Sequence, residues 1–373
     1  WERSRKPWQR SYAGVTSGVH RSLDGGDTWT ELGVAQGLPA PSTQTGRISI
    51  AISESDPSTI YARYTTNPIT NVFNGLYKST DNGDNWTLVT LNQLSFIDAT
   101  FGWFFGNIRI HPTDPEQVFV LGQVFYRTSN SGTSWSEVNG MHVDHHAMAI
   151  SRNNTNFMLA GNDGGLYFSE NAGSTWTKFD NLPLTQFYNI EVDNLQPERL
   201  YGGTQDNNTI RTLTGGANDW SAIIGGDGFH VLVDPNDNDF VYGESQFGNL
   251  RRSTDGGFSF QNGTNGISGG DRNNWNTPVT LSPFNSEIMY YGTNRLYTSN
   301  RAVNWSVISP DLTDGQHPSG SGSYGTLTAI ASSYQNTNTI YTGSDDGNVS
   351  VTFDGGITWE NISDGLPKRY ITS

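Results

Sequence analysis

Cysteine is absent from the 373 residues, so the chain forms no disulfide and offers no thiolate to a metal. Apolar residues are scarce at 34%, and no run approaches the roughly 18 that mark a membrane-spanning helix. Positive charge is scarce as well: 21 Lys and Arg stand against 36 Asp and Glu, a formal net charge of −15. Phosphates repel such a surface, which argues against nucleic acid and anionic membrane as partners. Neutral glycans, proteins and cations remain open, and no cofactor is expected. An initiating Met is missing too. The chain opens on Trp1 with no signal segment, which predicts a processed protein or part of a longer one.

Aromatic residues and glycine are abundant. The chain carries 12% aromatics and 43 Gly, the profile of strands joined by tight turns. One signature, Ser-x-Asp-x-Gly-x-Thr-Trp, recurs along it. The copies read "SLDGGDTW" (Ser22–Trp29), "STDNGDNW" (Ser79–Trp86), "TSNSGTSW" (Thr128–Trp135) and "SENAGSTW" (Ser169–Trp176). Further copies are "STDGGFSF" (Ser253–Phe260), "TSNRAVNW" (Thr298–Trp305) and "VTFDGGITW" (Val351–Trp359), with a degenerate one ending at Trp220. The Asp or Asn accepts backbone N–H groups across a tight turn, the Gly supplies positive φ, and the Trp packs between repeats.

Each signature sits in a common frame of an apolar stretch, a turn such as "ESDPST", a second stretch such as "IYARY", and a third such as "GLYKS". Four short strands per repeat predict an all-β chain, a β-propeller of seven or eight four-stranded blades. Inner strands are expected to start at Arg47, Asn107, His145, Phe187, Gly228, Pro278 and Thr326. Tyr12 to Leu32 would supply strands two to four of one more blade. The tail Tyr370–Ser373 is expected as an inner strand that pairs with this N-terminal blade and closes residues 1–373 into a single ring, since an open edge invites aggregation.

The signature resembles the Asp-box, or bacterial neuraminidase, repeat. In style the chain is similar to secreted bacterial propellers, sortilin-type receptor propellers and the propellers of xyloglucan-cleaving glycoside hydrolases. Those share architecture rather than activity. Sialidases of this superfamily carry an Arg-Ile-Pro motif, where this chain has Arg47-Ile48-Ser49. Against the xyloglucanase pattern, "IGGDGFHVLVDP" at Ile224–Pro235 and "VYGESQFGNLRRS" at Val241–Ser253 align. The catalytic Asp then falls on Gln246, which cannot transfer a proton as a carboxyl does, and Glu244 is displaced by two residues.

Propeller geometry puts the signature turns on one face. The loops leading into inner strands, and the turns joining strands two and three, fall on the other, where ligands bind. The predicted ligand set there is His142, Asp144, His145, Asn162, Asp163, Gln205, Asp206, Asp227, Glu244 and Gln246, with Gln186, Asp345 and Asp346 in equivalent places. Asp144, Asp163, Asp206, Asp227 and Glu244 are the carboxylates available for acid–base work, because crowding at a channel mouth raises a pKa. In "MHVDHHAMAI" (Met141–Ile150), His145 and His146 alternate across a strand. That leaves His142, Asp144, one of the two His and Asp163 as a polar cluster with a metal-binding alternative. "VDPNDNDF" (Val233–Phe240) lacks the Gly and Glu of a calcium loop and reads as a turn. Trp103, Phe104 and Phe105 lie outside the repeat and suggest a hydrophobic platform. The resulting expectation is an extracellular or cell-surface propeller that binds a glycan or an extracellular protein. The alternatives are a xyloglucanase-like hydrolase and a structural module.

Overall fold

The computed structural model describes residues 4–6, 9–11, 13–66, 72–182, 184–316 and 324–372, the first two stretches as backbone only. Two compact units divide the chain, Trp1–Leu182 and Pro183–Ser373. Both are built from the same part, a four-stranded antiparallel sheet whose strands follow one another in sequence. The described residues form seven such sheets. The fold is an all-β propeller type, and these sheets are its blades.

In the first unit the blades begin with inner strands Ile48–Ile52, Asn107–His111 and His145–Ile150, called blades one to three. In the second unit they begin with Phe187–Val192, Val231–Val233, Val279–Leu281 and Leu327–Ser332, called blades four to seven. Each inner strand lies within three residues of its predicted start. The N-terminal region departs from expectation. Val19–Arg21 pairs with Thr30–Leu32, which gives two strands rather than three, and Tyr12 lies outside the described residues. The tail departs too. Tyr370–Thr372 forms no strand, and Ser373 lies outside the described residues. The Ile371 N–H nevertheless donates to the Ser344 carbonyl at 3.1 Å, at the end of blade seven's second strand. The Gly228 N–H donates to Thr204 and the Leu327 N–H to Thr293 in the same way, where blades five and seven follow on from blades four and six.

Successive sheets bury apolar side chains between them. Tyr242 and Leu250 of blade five meet Val279, Met289, Tyr291 and Trp305 of blade six, and all are fully or nearly fully buried. Tyr290 and Leu296 of blade six meet Leu327 and Ile340 of blade seven. In the first unit Phe119, Leu121 and Phe125 of blade two meet Met148 and Met158 of blade three. Removing a side chain of this size from water is worth roughly 1.5–3 kcal/mol, so these contacts hold neighbouring blades together.

The signature turns show why their residue types recur. In the copy at Ser79, the Gly83 N–H donates to Ser79 Oγ at 2.9 Å and the Asn85 N–H to Asp81 Oδ1 at 2.9 Å. The same two bonds form at Ser22, Thr128, Ser169, Ser253 and Thr352. Hydrogen bonds, those from the Asn85, Ser259 and Thr358 side chains first, hold the carboxyls of Asp81, Asp255 and Asp354 down at about 2. Two consecutive residues of each turn have positive φ: Asn82 and Gly83, Ala172 and Gly173, Arg301 and Ala302.

Candidate functional site

The inner strands are not regular at the end where the ligand face is expected. In blades three, four and seven the register slips by one near the start of the inner strand. The extra residue is His146, Tyr188 and Thr328 respectively. A bulge of this kind re-aims one side chain without disturbing the rest of the ladder.

In the first unit His146 is the re-aimed residue. Its Nε2 lies 2.7 Å from Asp163 Oδ1, and a carboxylate oxygen of Asp144 lies within 4.8 Å of one from Asp163. The aromatic segment Phe101–Phe105 turns to the same imidazole. The half-exposed Phe104 ring lies 5.1 Å from it and the buried Phe105 ring 5.4 Å. The other residues predicted here serve the loop or the core. Asn162 spends its amide on the His142 carbonyl (2.9 Å) and on the Gly164 N–H (3.0 Å), and the His142 imidazole Nδ1 lies 3.1 Å from the Val143 carbonyl. His145 is a correction to the predicted ligand set. It is 3% exposed, packs its ring 5.3 Å from Phe125, and is pushed down to about 4 by burial and then by His146 and His142. A ligand on the surface does not reach it.

In the second unit the re-aimed residue is Tyr188, and it opens a row of four rings. Tyr188 lies 4.7 Å from Phe229, Phe229 lies 5.8 Å from Trp275, and Trp275 lies 4.9 Å from Phe247 at 88°. Phe229 is the buried base of the row. Tyr188, Trp275 and Phe247 are 41%, 40% and 49% exposed. Three blades contribute: four through Tyr188, six through Trp275 in the loop before its inner strand, and five through Phe229 and Phe247. Phe247 occupies a 3-10 turn, Gln246–Gly248, at φ 59 and ψ 35. A left-handed conformation is uncommon for an aromatic residue and costs about 1–2 kcal/mol. The Phe247 N–H donates to the Trp275 carbonyl at 3.0 Å, which ties the two exposed rings together through the backbone.

Polar groups surround the row. Asp227 accepts the Asp206 N–H at 2.7 Å, and the Gln205 N–H donates to the Gln186 carbonyl at 3.3 Å. Burial, aided by the Asp227 and Asp206 carboxylates, pushes the Tyr188 phenol up. On either side of Trp275, the side-chain oxygens of Asn273 and Asn276 are buried without a hydrogen-bond partner among the described residues. Gly203 allows the close packing beneath, since a Cβ there would lie 2.0 Å from the Phe229 carbonyl oxygen.

Of the residues predicted in this unit, Gln205 and Asp206 border the row, while Asp227 is buried and holds the Asp206 N–H. The Gln246 side chain lies against Gly226, where a Cβ would meet its oxygen at 2.6 Å. Glu244 is the second correction. It is fully buried, its Oε1 accepts the Thr277 N–H at 2.8 Å, and burial raises its carboxyl well above the ordinary range. It cannot touch a substrate. Asp345 and Asp346 also turn inward: Asp345 accepts the Gly325 and Thr326 N–H groups, and Asp346 accepts the Asp314 N–H. The Val233–Phe240 segment is a turn, with Asp234 accepting the Asn236 N–H and Arg301 reaching Asp237 at 3.3 Å. A separate cleft of about 430 Å³, lined by Pro235, Phe284, Ile330 and Tyr334 among others, contains none of the predicted residues.

Sequence reasoning missed Tyr188, Trp275 and Phe247. For Trp275 a signal was present. It is a Trp outside every signature copy, in the Asn-rich string "RNNWN".

No protein-family model matches the chain. No curated protein matches it either. Among solved structures it is similar to a GH74 enzyme of Niastella koreensis (14% identity, TM-score 0.35, covering 98% of this chain and 66% of that one). It is also similar to the GH74 xyloglucanase of Xanthomonas campestris (14%, 0.35, 90% and 56%) and to YCF48 bound to D1 peptide (14%, 0.35, 71% and 84%). The chain thus spans less than two thirds of either GH74 enzyme, and its fold is read from its own repeated sheets.

Proposed function

We propose that the protein is a glycan-binding propeller of the Asp-box class, acting outside the cell, and that the ring row of the second unit is its binding surface. The observation that carries this reading is the trio of half-exposed rings, Tyr188, Trp275 and Phe247, delivered by three different blades: Tyr188 and Trp275 pack on the buried Phe229, and Phe247 packs on Trp275. Flat apolar faces flanked by planar polar groups match a sugar ring, which has C–H faces and a rim of hydroxyls. The carboxylate of Asp206, whose N–H is held by Asp227 and whose charge acts on the Tyr188 phenol, supplies an acceptor for that rim. The net charge of −15 favours a neutral glycan over an acidic one.

A hydrolase needs two carboxyl groups that reach the scissile bond. Burial sets both Glu244 and Asp227 apart from that role, which leaves Asp206 beside the rings. A polysaccharide array scored for both binding and product release separates the readings. Retention of a neutral glycan without cleavage is the expected result. Release of shortened product would move the assignment to hydrolase, and failure to retain any glycan would sink the proposal. Trp275→Ala is expected to weaken binding by about tenfold or more, read by titration calorimetry, with the melting transition nearly unchanged.

A further inference from the structure

Glu244 contacts nothing outside the protein, yet it joins the two loops that carry the exposed rings. Its residue sits near the end of blade five's second strand, two residues before the turn Gln246–Gly248. Its carboxyl crosses to blade six and accepts the N–H of Thr277, two residues after Trp275. The backbone returns the connection, because Phe247 donates to the Trp275 carbonyl. A third link comes from Tyr291 of blade six, whose hydroxyl donates to the Gly248 carbonyl at 2.6 Å. Gly248 has φ 73, and a Cβ there would fall 1.9 Å from that hydroxyl. The turn bearing Phe247 is therefore held to blade six at three points, two of them on the loop bearing Trp275, and only Glu244 among them contributes a carboxyl group. Its second oxygen, Oε2, is buried with no partner among the described residues.

We infer that Glu244 is a positioning residue for the ring surface, acting as a neutral acid whose ionisation loosens the Phe247–Trp275 pair and weakens ligand binding. This rests on the glycan-binding reading for its functional consequence, but the clamp itself does not. A carboxylate buried with one hydrogen bond and no cation is strongly disfavoured relative to the acid. The titratable groups around it offer no relief. The Tyr291 phenol on blade six is pushed up by burial and by Glu244 and stays neutral. Just before the inner strand beside it, His230 accepts the Glu244 N–H through its backbone carbonyl, and its ring is held down at about 4 by burial. Leu250, opposite Glu244 on the third strand, brings no charge. The ordinary value of the carboxyl is 4.5 and its folded value lies well above that. The clamp is therefore fully present below about 4.5 and is lost as pH rises through the folded value.

Two substitutions test this. Glu244→Gln keeps an oxygen for the Thr277 N–H and cannot ionise. Glu244→Leu removes the acceptor and keeps the bulk. Hydrogen exchange at the Thr277 amide and the indole N–H signal of Trp275, both read by NMR without ligand, report on the clamp. Affinity for a neutral cello-oligosaccharide retained by the array, or for whichever neutral oligosaccharide is retained in its place, reports on function. In the wild type, exchange at Thr277 corrected for intrinsic pH dependence should speed up, and affinity should fall, as pH rises from about 5 to about 9. Glu244→Gln should hold both nearly constant and bind within about twofold of wild type at low pH. Glu244→Leu should raise Thr277 exchange and weaken binding by about tenfold at every pH. Should Glu244→Leu fail to fold, the comparison of Glu244→Gln with wild type decides alone. Identical pH profiles for these two proteins in Thr277 exchange overturn the inference. A flat glycan array with the expected exchange profile leaves the clamp standing and removes only the glycan reading.

Discussion

Phe247 and Glu244 are three residues apart and were equally visible in "GESQFGNL", yet their roles are the reverse of what a turn suggests. A charged residue in a polar turn is expected to face water, and an aromatic one to face the core. Here the aromatic is 49% exposed and the acid is fully buried. The inversion follows from the left-handed backbone at Phe247, which turns the ring outward, and from the strand end at Glu244, which points into the seam with blade six. Neither is legible from residue type, because both depend on a neighbouring blade. The strain at Phe247 makes a prediction that separates stability from binding. Asn tolerates positive φ far better than Phe does. Phe247→Asn is expected to leave the unfolding free energy within about 1 kcal/mol of wild type, since relief of backbone strain offsets a lost edge-to-face contact worth about 0.5–1.5 kcal/mol. Glycan affinity should nevertheless fall by about tenfold. Chemical denaturation and calorimetry measure the two effects, and a proportionate loss in both would mean that Phe247 is a packing residue.

At the scale of the element, the blades were legible and the bulges were not. Apolar stretches separated by Asp-Pro and Asn-rich turns located every inner strand, because strand and turn propensities agree there with the repeat. A bulge changes the register without changing composition, so His146 and Tyr188 carried no signal of their own. The sequence reading left open which histidine of the pair meets Asp163. The bulge assigns that contact to His146 and sends His145 to the core against Phe125. The signature turns are the opposite case, where chemistry and position coincide. Their second left-handed position is Gly in six of the seven copies and Ala302 in the other, while the first is filled by Gly, Asn, Ser, Ala or Arg. Ala172, at φ 54, has neither the freedom of Gly nor the local hydrogen bonding of Asn. Ala172→Gly should therefore stabilise the first unit by about 0.5–1 kcal/mol, net of the greater freedom it gives the unfolded chain. A urea titration reads this as a higher midpoint at unchanged slope. A lower midpoint would show that the methyl group's packing near Phe119 and Met158 outweighs the strain.

For the molecule as a whole, composition excluded more than it assigned. An excess of 15 negative charges set aside polyanionic ligands but left neutral glycans and proteins equally open. The proposed glycan reading rests on the ring row, because rings and amides recognise shape and hydroxyls without requiring charge in the ligand. The distinction has a measurable consequence. A protein partner that meets a surface this acidic does so through cationic side chains, and salt screens that attraction over a Debye length of about 8–10 Å under ordinary buffer conditions. A neutral oligosaccharide offers no charge to screen. Its affinity for the ring row should change by less than about twofold between about 50 mM and about 500 mM salt, while its on-rate stays equally flat. Calorimetry and stopped-flow fluorescence across that range give both quantities. A steep loss of affinity with salt would place charge, and so a protein or ionic ligand, at the centre of recognition. The carboxylate of Asp206 would then be its anchor, and the rings only its surroundings.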